Sequence, residues 1–446
     1  MRLFRVCLQN RKIFQGKYSE KIWYKRERHT VRVRLAIRGV VKVKNRKRKG
    51  MKRKEIKRTQ RFLPFILLLV LALTGCGGGA AAGESDGILE TEKGKTISEV
   101  NNLLEKNSSS EEMAQSQTVL KEQTEEIPSA TRDIFAMDTY MTLTGYGEKC
   151  EEALDEAVAE IERLDNLLST GNAESEIAQL NQNGKGMISM DTQVMLEESI
   201  SLFESTEGAF DITIYPLMVE WGFTTEQYQI PGEDALQQLL NNVDTSLLDY
   251  DAQTHMLTLG EGQGIDLGAI AKGYTSNRVM EIFEEYELVS GVVSLGGNVQ
   301  CYSSKIDGSP WRCGVVNPLD PDNMNNYMGI VSVVDKAVIT SGGYERYFED
   351  ETTGEKYHHI LNPETGYPAD SGLISVTIVS ENGMLADGLS TSVFIMGLEK
   401  AEAYWQEYGD TFDMILMTEE QEIYITEGLE DCFTTQNFPL HVIEHK

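Results

Sequence analysis

Residues 340–368, reading TSGGYERYFEDETTGEKYHHILNPETGYP, constrain the fold more tightly than any other stretch of this chain. An apolar run at 337–339 ends on Thr340-Ser341-Gly342-Gly343, so a strand stops there and the backbone turns. Two glycines and two hydroxyls at such a turn let N–H groups point inward and cradle an anion. Residues 357–361 (YHHIL) then read as a strand entering a turn built on Asn362-Pro363 and Thr365-Gly366. Adjacent strand residues face opposite sides, so only one of His358 and His359 can serve a given site.

The N-terminal 75 residues are of a different kind. They hold 24 Lys and Arg but only three acidic residues (Glu20, Glu27, Glu55), which leaves 17 basic against 67 acidic over the remaining 371. Within 51–76 a basic segment precedes an apolar run at 62–73, too short to span a bilayer, and Leu73-Thr74-Gly75-Cys76 follows. This resembles a bacterial lipobox: 51–75 is read as a signal peptide and Cys76 as the lipidated residue. Two or more acyl chains would hold the protein on the extracytoplasmic face of a bacterial cell membrane. Residues 1–50 form a basic extension with no role in export, and the well-formed signal beginning at Met51 points to Met51 as the true start. Residues 76–129, rich in Ser, Glu, Gln, Lys and Thr, read as a flexible tether. The acidic body argues against nucleic acid and anionic lipid as direct partners.

From 130 to 446 the sequence reads as one continuous domain, large enough for a sizeable core built as one or two lobes. Strand-like runs at 139–146, 291–295, 330–334, 374–379 and 414–417 mix with helical ones at 151–168, 192–206, 234–241, 273–286 and 387–396. Hairpin-like stretches at 299–316 and 337–361 point to antiparallel sheet, and hence to an α+β class with mixed or antiparallel sheets and packed helices. Cys301 and Cys313 flank a turn-like segment at 305–310 and are expected to face each other across two strands, where a disulfide could form.

Three junctions carry chemistry. Asp387-Gly388-Leu389-Ser390-Thr391 opens a helix, and spacings of three and four put Asp387, Ser390 and Thr391 on one side of it. Three hard oxygens there suit Mg2+, with substrate and water completing the shell; the plainer reading is an Asp N-cap with incidental hydroxyls. IDLGAIAKGY at 265–274 is a strand–turn–helix junction that could aim the Ala269 carbonyl at a metal and Lys272 at a phosphate. GAFDIT at 208–213, with Pro216-Leu217 and Trp221-Gly222-Phe223, offers polar backbone and apolar bulk for a ring system, or a core aromatic cluster. Leu295-Gly296-Gly297-Asn298 ends another strand. It lacks GxGxxG spacing and no Walker motif occurs, so neither a Rossmann nor a P-loop site is supported.

Taken in order, these segments resemble the FAD:protein FMN transferase family, the ApbE lipoproteins. The resemblance runs over 137–397. It adds Met137-Asp138-Thr139, Ser175-Glu176-Ile177, Leu180-Asn181 and Pro310-Trp311 to the motifs above. It implies a T-fold-like architecture and Mg2+-dependent transfer of the FMN half of FAD to a Thr of a partner flavoprotein, releasing AMP. Met137, Ala209, Phe210, Asp211, Asp266, Lys272 and Leu361 would line FAD; Ala269 (through its carbonyl), Asp387, Ser390 and Thr391 would bind Mg2+. His359 matches the family's functional histidine, and His359 or Asp387 would assist deprotonation of the incoming Thr. Acceptors would be exported or membrane flavoproteins bearing a short Ser/Thr-Gly-Ala-Ser/Thr-like motif. Gly171 stands where many members carry an aromatic, and Asn362 replaces the usual Asp before Pro. Two other functions fit the same residues: an FAD pyrophosphatase, with water as acceptor, and a flavin-binding lipoprotein without catalysis.

Overall fold

The computed structural model describes residues 127–323 and 325–446; the signal segment, Cys76 and the tether up to residue 126 lie outside the described residues. Strand β1 (Ser129–Ala136) returns as β2 (Thr139–Tyr146) through Met137 and Asp138. Both turn residues lie in the left-handed region (φ 50° and 59°), the geometry a two-residue hairpin needs. Helix α1 (Cys150–Leu168) buries Ala153, Leu154, Ala157, Ile161 and Leu164 at helical spacing. Helix α2 (Glu176–Asn183) starts on Ser175, whose Oγ accepts the Ala178 N–H, and ends at left-handed Gly184. Next come β3 (Lys185–Met187), α3 (Met190–Ser205), α4 (Tyr215–Glu220) and α5 (Glu233–Leu240). Strands β4 (Asp249–Asp251) and β5 (Met256–Thr258) lead to α6 (Gly268–Glu285).

A run of strands follows: β6 (Ser290–Leu295), β7 (Asn298–Tyr302), β8 (Trp311–Val316), β9 (Tyr327–Val333), β10 (Ala337–Ser341), β11 (Tyr347–Glu349), β12 (Lys356–His358) and β13 (Leu373–Ser380). Helices α7 (Gly383–Met396) and α8 (Leu398–Tyr408) precede β14 (Phe412–Thr418), β15 (Ile423–Thr426), β16 (Phe433–Thr434) and β17 (Leu440–Ile443). The main sheet has the order β1-β2-β6-β7-β10-β13-β14-β15-β17, antiparallel except for the parallel pair β15–β17. Smaller sheets are β16-β9-β8, β3-β5-β4 and β11-β12. The class is α+β, as the mixture of strand and helix patterns predicts.

Central strands are buried on both faces, and alternation sorts their side chains. Ile339, Ile378, Met414 and Leu416 face the helical core with α3, α6 and α7, whereas Val338, Val379, Ile415 and Met417 face a second core under β8, β9 and β16. The expected hairpin at 299–316 is not one. Strand β7 pairs with β6 and β10, and β8 pairs with β9 in a separate sheet. Cys301 and Cys313 do meet, but across the packing of the two sheets, where both thiols are free and hydrogen-bonded to each other. Among the described residues no helix is long and apolar enough to cross a membrane.

Two helix starts differ from the sequence reading. Helix α7 begins at Gly383, capped by Asn382 Oδ1 on the N–H groups of Met384 and Leu385, so Asp387 lies a turn inside and is not the N-cap. Helix α6 begins at Gly268, whose N–H donates to Asp266 Oδ1 at 2.7 Å. The two helices cross at glycines. A Cβ on Gly273 would lie 2.2 Å from the Gly383 carbonyl and 2.6 Å from Asp387 Cβ, so no larger residue permits this approach.

Candidate functional site

Asp387 is 4% exposed and held from two sides. Its Oδ2 accepts the Gly273 N–H at 2.8 Å, and its Oδ1 accepts Asn298 Nδ2 at 2.9 Å. Burial raises the pKa of this carboxyl, while Lys272 and the two donors oppose the shift. In a regular helix the Gly273 N–H serves the Ala269 carbonyl. Its bond to Asp387 competes for that N–H, and the Ala269 carbonyl keeps a lone pair for another contact. Asn298 is a site residue that the sequence reading passed over: its partner lies 89 positions away, beyond any local spacing rule.

The hydroxyls are not equivalent. Ser390 is fully buried; its Oγ donates to the Asp387 carbonyl at 2.8 Å and lies 2.7 Å from Ser341 Oγ, which must be the donor in that pair. Ser390 therefore braces the turn. Ser341 and Thr391 are half-buried, 3.5 Å apart, and open to a ligand. Among the described residues no three His, Cys, Asp or Glu side chains gather as a metal cluster. The donors at hand are one carboxylate, hydroxyls and a backbone carbonyl, an all-oxygen set that fits Mg2+ better than a softer metal.

Lys272, one turn beyond Ala269, stands within electrostatic reach of Asp266, Glu345 and Asp387. Glu345 reaches solvent yet is enclosed on most sides by protein, and burial pushes its pKa up to about 7. Burial also raises Asp266, against the pull of the Gly268 N–H, Arg346 and Lys272. Asn181 fixes this junction by donating to the Ile265 carbonyl at 2.8 Å and accepting its N–H at 2.7 Å. One lysine among three carboxylates is an arrangement that a phosphate with a divalent cation would complete.

The two histidines separate as alternation requires. His359 donates from its backbone N–H to the Arg346 carbonyl at 3.1 Å, and its ring Nδ1 lies 3.1 Å from the same oxygen. A carbonyl can only accept, so Nδ1 carries the proton and Nε2 is left as the acceptor. Burial lowers the ring pKa to about 4, so His359 is neutral at neutral pH. His358 instead packs edge-on against Phe394, with Nε2 3.1 Å from the Ala369 carbonyl. A Cβ on Gly343 would lie 2.7 Å from the His358 ring, and one on Gly342 2.3 Å from Tyr344. Neither glycine has positive φ; both make room for rings, which the anion-cradle reading of this turn did not anticipate.

Beneath His359 lies an aromatic cluster of Trp221, Phe223, Phe348 and Tyr357. Trp221 and Phe223 are fully buried, and Trp221 Nε1 donates to the Gly366 carbonyl at 2.8 Å. For Trp221 and Phe223 the core cluster is therefore the observed arrangement. The Arg346 guanidinium donates to the Phe223 carbonyl, so this cluster also anchors the residue that orients His359.

The remaining expected cofactor residues divide by what they expose. Met137 sits in the hairpin turn, its Sδ 3.8 Å from Thr275 Oγ1 on α6. Ala209 is half-buried, but Phe210 points into the helical core and Leu361 into the aromatic cluster, which leaves only their backbone for a ligand. Asp211 accepts from Thr213 and Thr245, through backbone and hydroxyl of each, and ties two segments together. Asn362 Oδ1 accepts the Glu364 N–H at 2.8 Å, a bond an Asp would make equally well. Gly171 is exposed, and a Cβ there would meet Ser169 Oγ at an ordinary contact distance of 3.8 Å.

Comparison with known proteins gives one answer. The ApbE family pattern matches residues 137–416. FAD:protein FMN transferase of Haemophilus influenzae is 30% identical over 269 residues, covering 58% of this chain and 76% of that protein. The protein of the same name from Treponema pallidum is 29% identical over 296 residues, covering 63% and 80%. Among solved structures, the ApbE protein of Thermotoga maritima aligns with a TM-score of 0.64 at 28% identity, covering 68% of this chain and 99% of that one. The apo flavinyl transferase ApbE of Pseudomonas stutzeri gives 0.59 at 25%, covering 70% and 95%. The matched span contains Asp266, Lys272, His359 and Asp387 together with the elements that hold them, and this chain belongs to the ApbE family.

Proposed function

We propose that the protein is an FAD:protein FMN transferase, moving FMN from FAD to a Thr hydroxyl of a partner flavoprotein. The observation that carries this reading is that Lys272 lies within electrostatic reach of both a buried, donor-braced Asp387 and a neutral His359 whose second ring nitrogen can accept a proton. In the reaction the bond from the FMN phosphorus to the bridging pyrophosphate oxygen breaks, a new phosphorus–oxygen bond forms to Thr, and AMP leaves with the bridging oxygen. His359 Nε2 takes the Thr proton and Lys272 offsets phosphate charge. Asp387, Thr391, Ser341 and the Ala269 carbonyl would hold Mg2+, which neutralises phosphoryl charge when bound. Ser390 keeps these hydroxyls in place.

Cys76 is proposed as a lipid anchor on the extracytoplasmic membrane face, with the acidic body meeting an exported or membrane-bound acceptor. Incubation of the protein with FAD, Mg2+ and a flavoprotein carrying a Ser/Thr-Gly-Ala-Ser/Thr-like motif tests the function. A flavin-fluorescent acceptor band in a denaturing gel supports transfer. Free FMN with an unmodified acceptor would replace it with pyrophosphatase activity.

A further inference from the structure

We propose that Phe135 and Tyr140, at the tip of the β1–β2 hairpin, form an apolar docking contact for the protein that receives FMN; this rests on the transferase reading above. The outward face of the hairpin is otherwise polar and satisfied. Thr131 and Thr144 hydroxyls lie 3.1 Å apart, and Thr142 donates to Asp133 at 2.7 Å. At the next outward positions the pattern breaks. Phe135 and Tyr140 stand directly opposite each other, ring centroids 5.5 Å apart and edge to face, yet 65% and 80% exposed. An aromatic pair of this kind adds something to hairpin stability, but most of its apolar surface remains in water.

The tip is tied to the segments that hold Asp387. The Gly296 N–H donates to the Tyr140 carbonyl at 3.1 Å, and a Cβ on Gly296 would lie 2.3 Å from Thr139 Oγ1. Gly296 and Gly297 form the two-residue turn between β6 and β7 (φ 62° and 97°), and Asn298, directly after that turn, donates to Asp387. On the other side Met137 meets Thr275, three positions beyond Lys272. A folded acceptor that brings a hydroxyl to Asp387 therefore comes within reach of Phe135 and Tyr140. Exposed aromatic anchors beside a site are the residue types that carry protein–protein contacts.

An acceptor protein fits this pair better than a lipid surface. Strand β1 starts at Ser129, opposite Tyr146, so the chain enters at the far end of the hairpin, about 26 Å from the tip at about 3.3 Å per residue. Asp133 and Asp138 flank the aromatic pair and would repel anionic headgroups.

The test compares wild type with Phe135→Ser/Tyr140→Ser and with Phe135→Leu/Tyr140→Leu. Each is assayed for FMN transfer to a folded flavoprotein bearing the motif and to a short peptide of the same motif, alongside FAD titration and thermal unfolding. The expected result for the serine pair is a rise in KM of about tenfold for the folded acceptor, with peptide transfer and FAD affinity unchanged. The leucine pair should keep most of the wild-type KM. An unchanged KM for the folded acceptor overturns the proposal, as does an equal loss with peptide and protein, which would make the pair part of the FAD site. Loss of binding to phosphatidylglycerol vesicles with normal transfer would make the pair a membrane contact instead. If wild type binds FAD but modifies neither acceptor, the transferase reading itself fails, and the docking contact with it.

Discussion

Asp387 sits where two helices cross inside the main core, whereas His359 follows a two-stranded sheet laid over a satellite aromatic cluster. The first wall is fixed by backbone: Gly273 against Gly383, a helix N–H on the carboxylate, and Asn298 reaching over from β7. The second is fixed by side chains, with Trp221 holding the Gly366 turn and Arg346 joining His359 to Phe223. A backbone-built wall cannot be altered without disturbing the fold. A wall hung on a small cluster can lose its chemistry while the protein stays folded.

That difference can be broken or sharpened by experiment. Asp387→Ala should lower Mg2+-dependent transfer by roughly a thousandfold or more, since it removes the single carboxylate of the proposed cation site; steady-state rates against Mg2+ concentration would show it, and full activity would sink the metal assignment. His359→Gln should lower the rate by about a hundredfold or more with little change in unfolding temperature. His358→Gln should do the reverse, disturbing packing on Phe394 more than rate. Gly273→Ala should cost about 3 kcal/mol in denaturant unfolding because its methyl meets the Gly383 carbonyl; a neutral outcome would mean that the helix crossing is more pliable than its contacts imply.

The smallest effect is on pH dependence. The His359 pKa lies near 4, below its ordinary 6.5, so the unfolded chain binds the extra proton more readily. The ring therefore contributes stability above about pH 6.5 that is lost as the pH falls toward 4. In an NMR titration of the free protein the His359 ring should stay neutral through pH 6. A midpoint near 6.5 would contradict the enclosed geometry.

Much of this site was legible because its signals are local. Helical spacing groups Asp387, Ser390 and Thr391, strand alternation separates His359 from His358, and the junction at 265–274 places Lys272. The residues left unread are joined by long-range contacts. Asn298 is defined by Asp387, Arg346 by Phe223 and His359, and Ser341 by Ser390, and no periodicity records such pairs. The same limit explains strand β8. Its apolar pattern resembles that of β7, but β10 takes the edge of β7 and leaves β8 to pair with β9. Motif membership also hides direction: Phe210 and Leu361 lie in the matched segments, yet their side chains belong to two different cores.

The central claim is that the two walls act together to move FMN onto a protein. Intact mass spectrometry of a co-expressed motif-bearing flavoprotein tests it most directly. The account predicts an added FMN with the wild-type enzyme, and none with Asp387→Ala or His359→Gln. An unmodified acceptor beside accumulating FMN and AMP would contradict it.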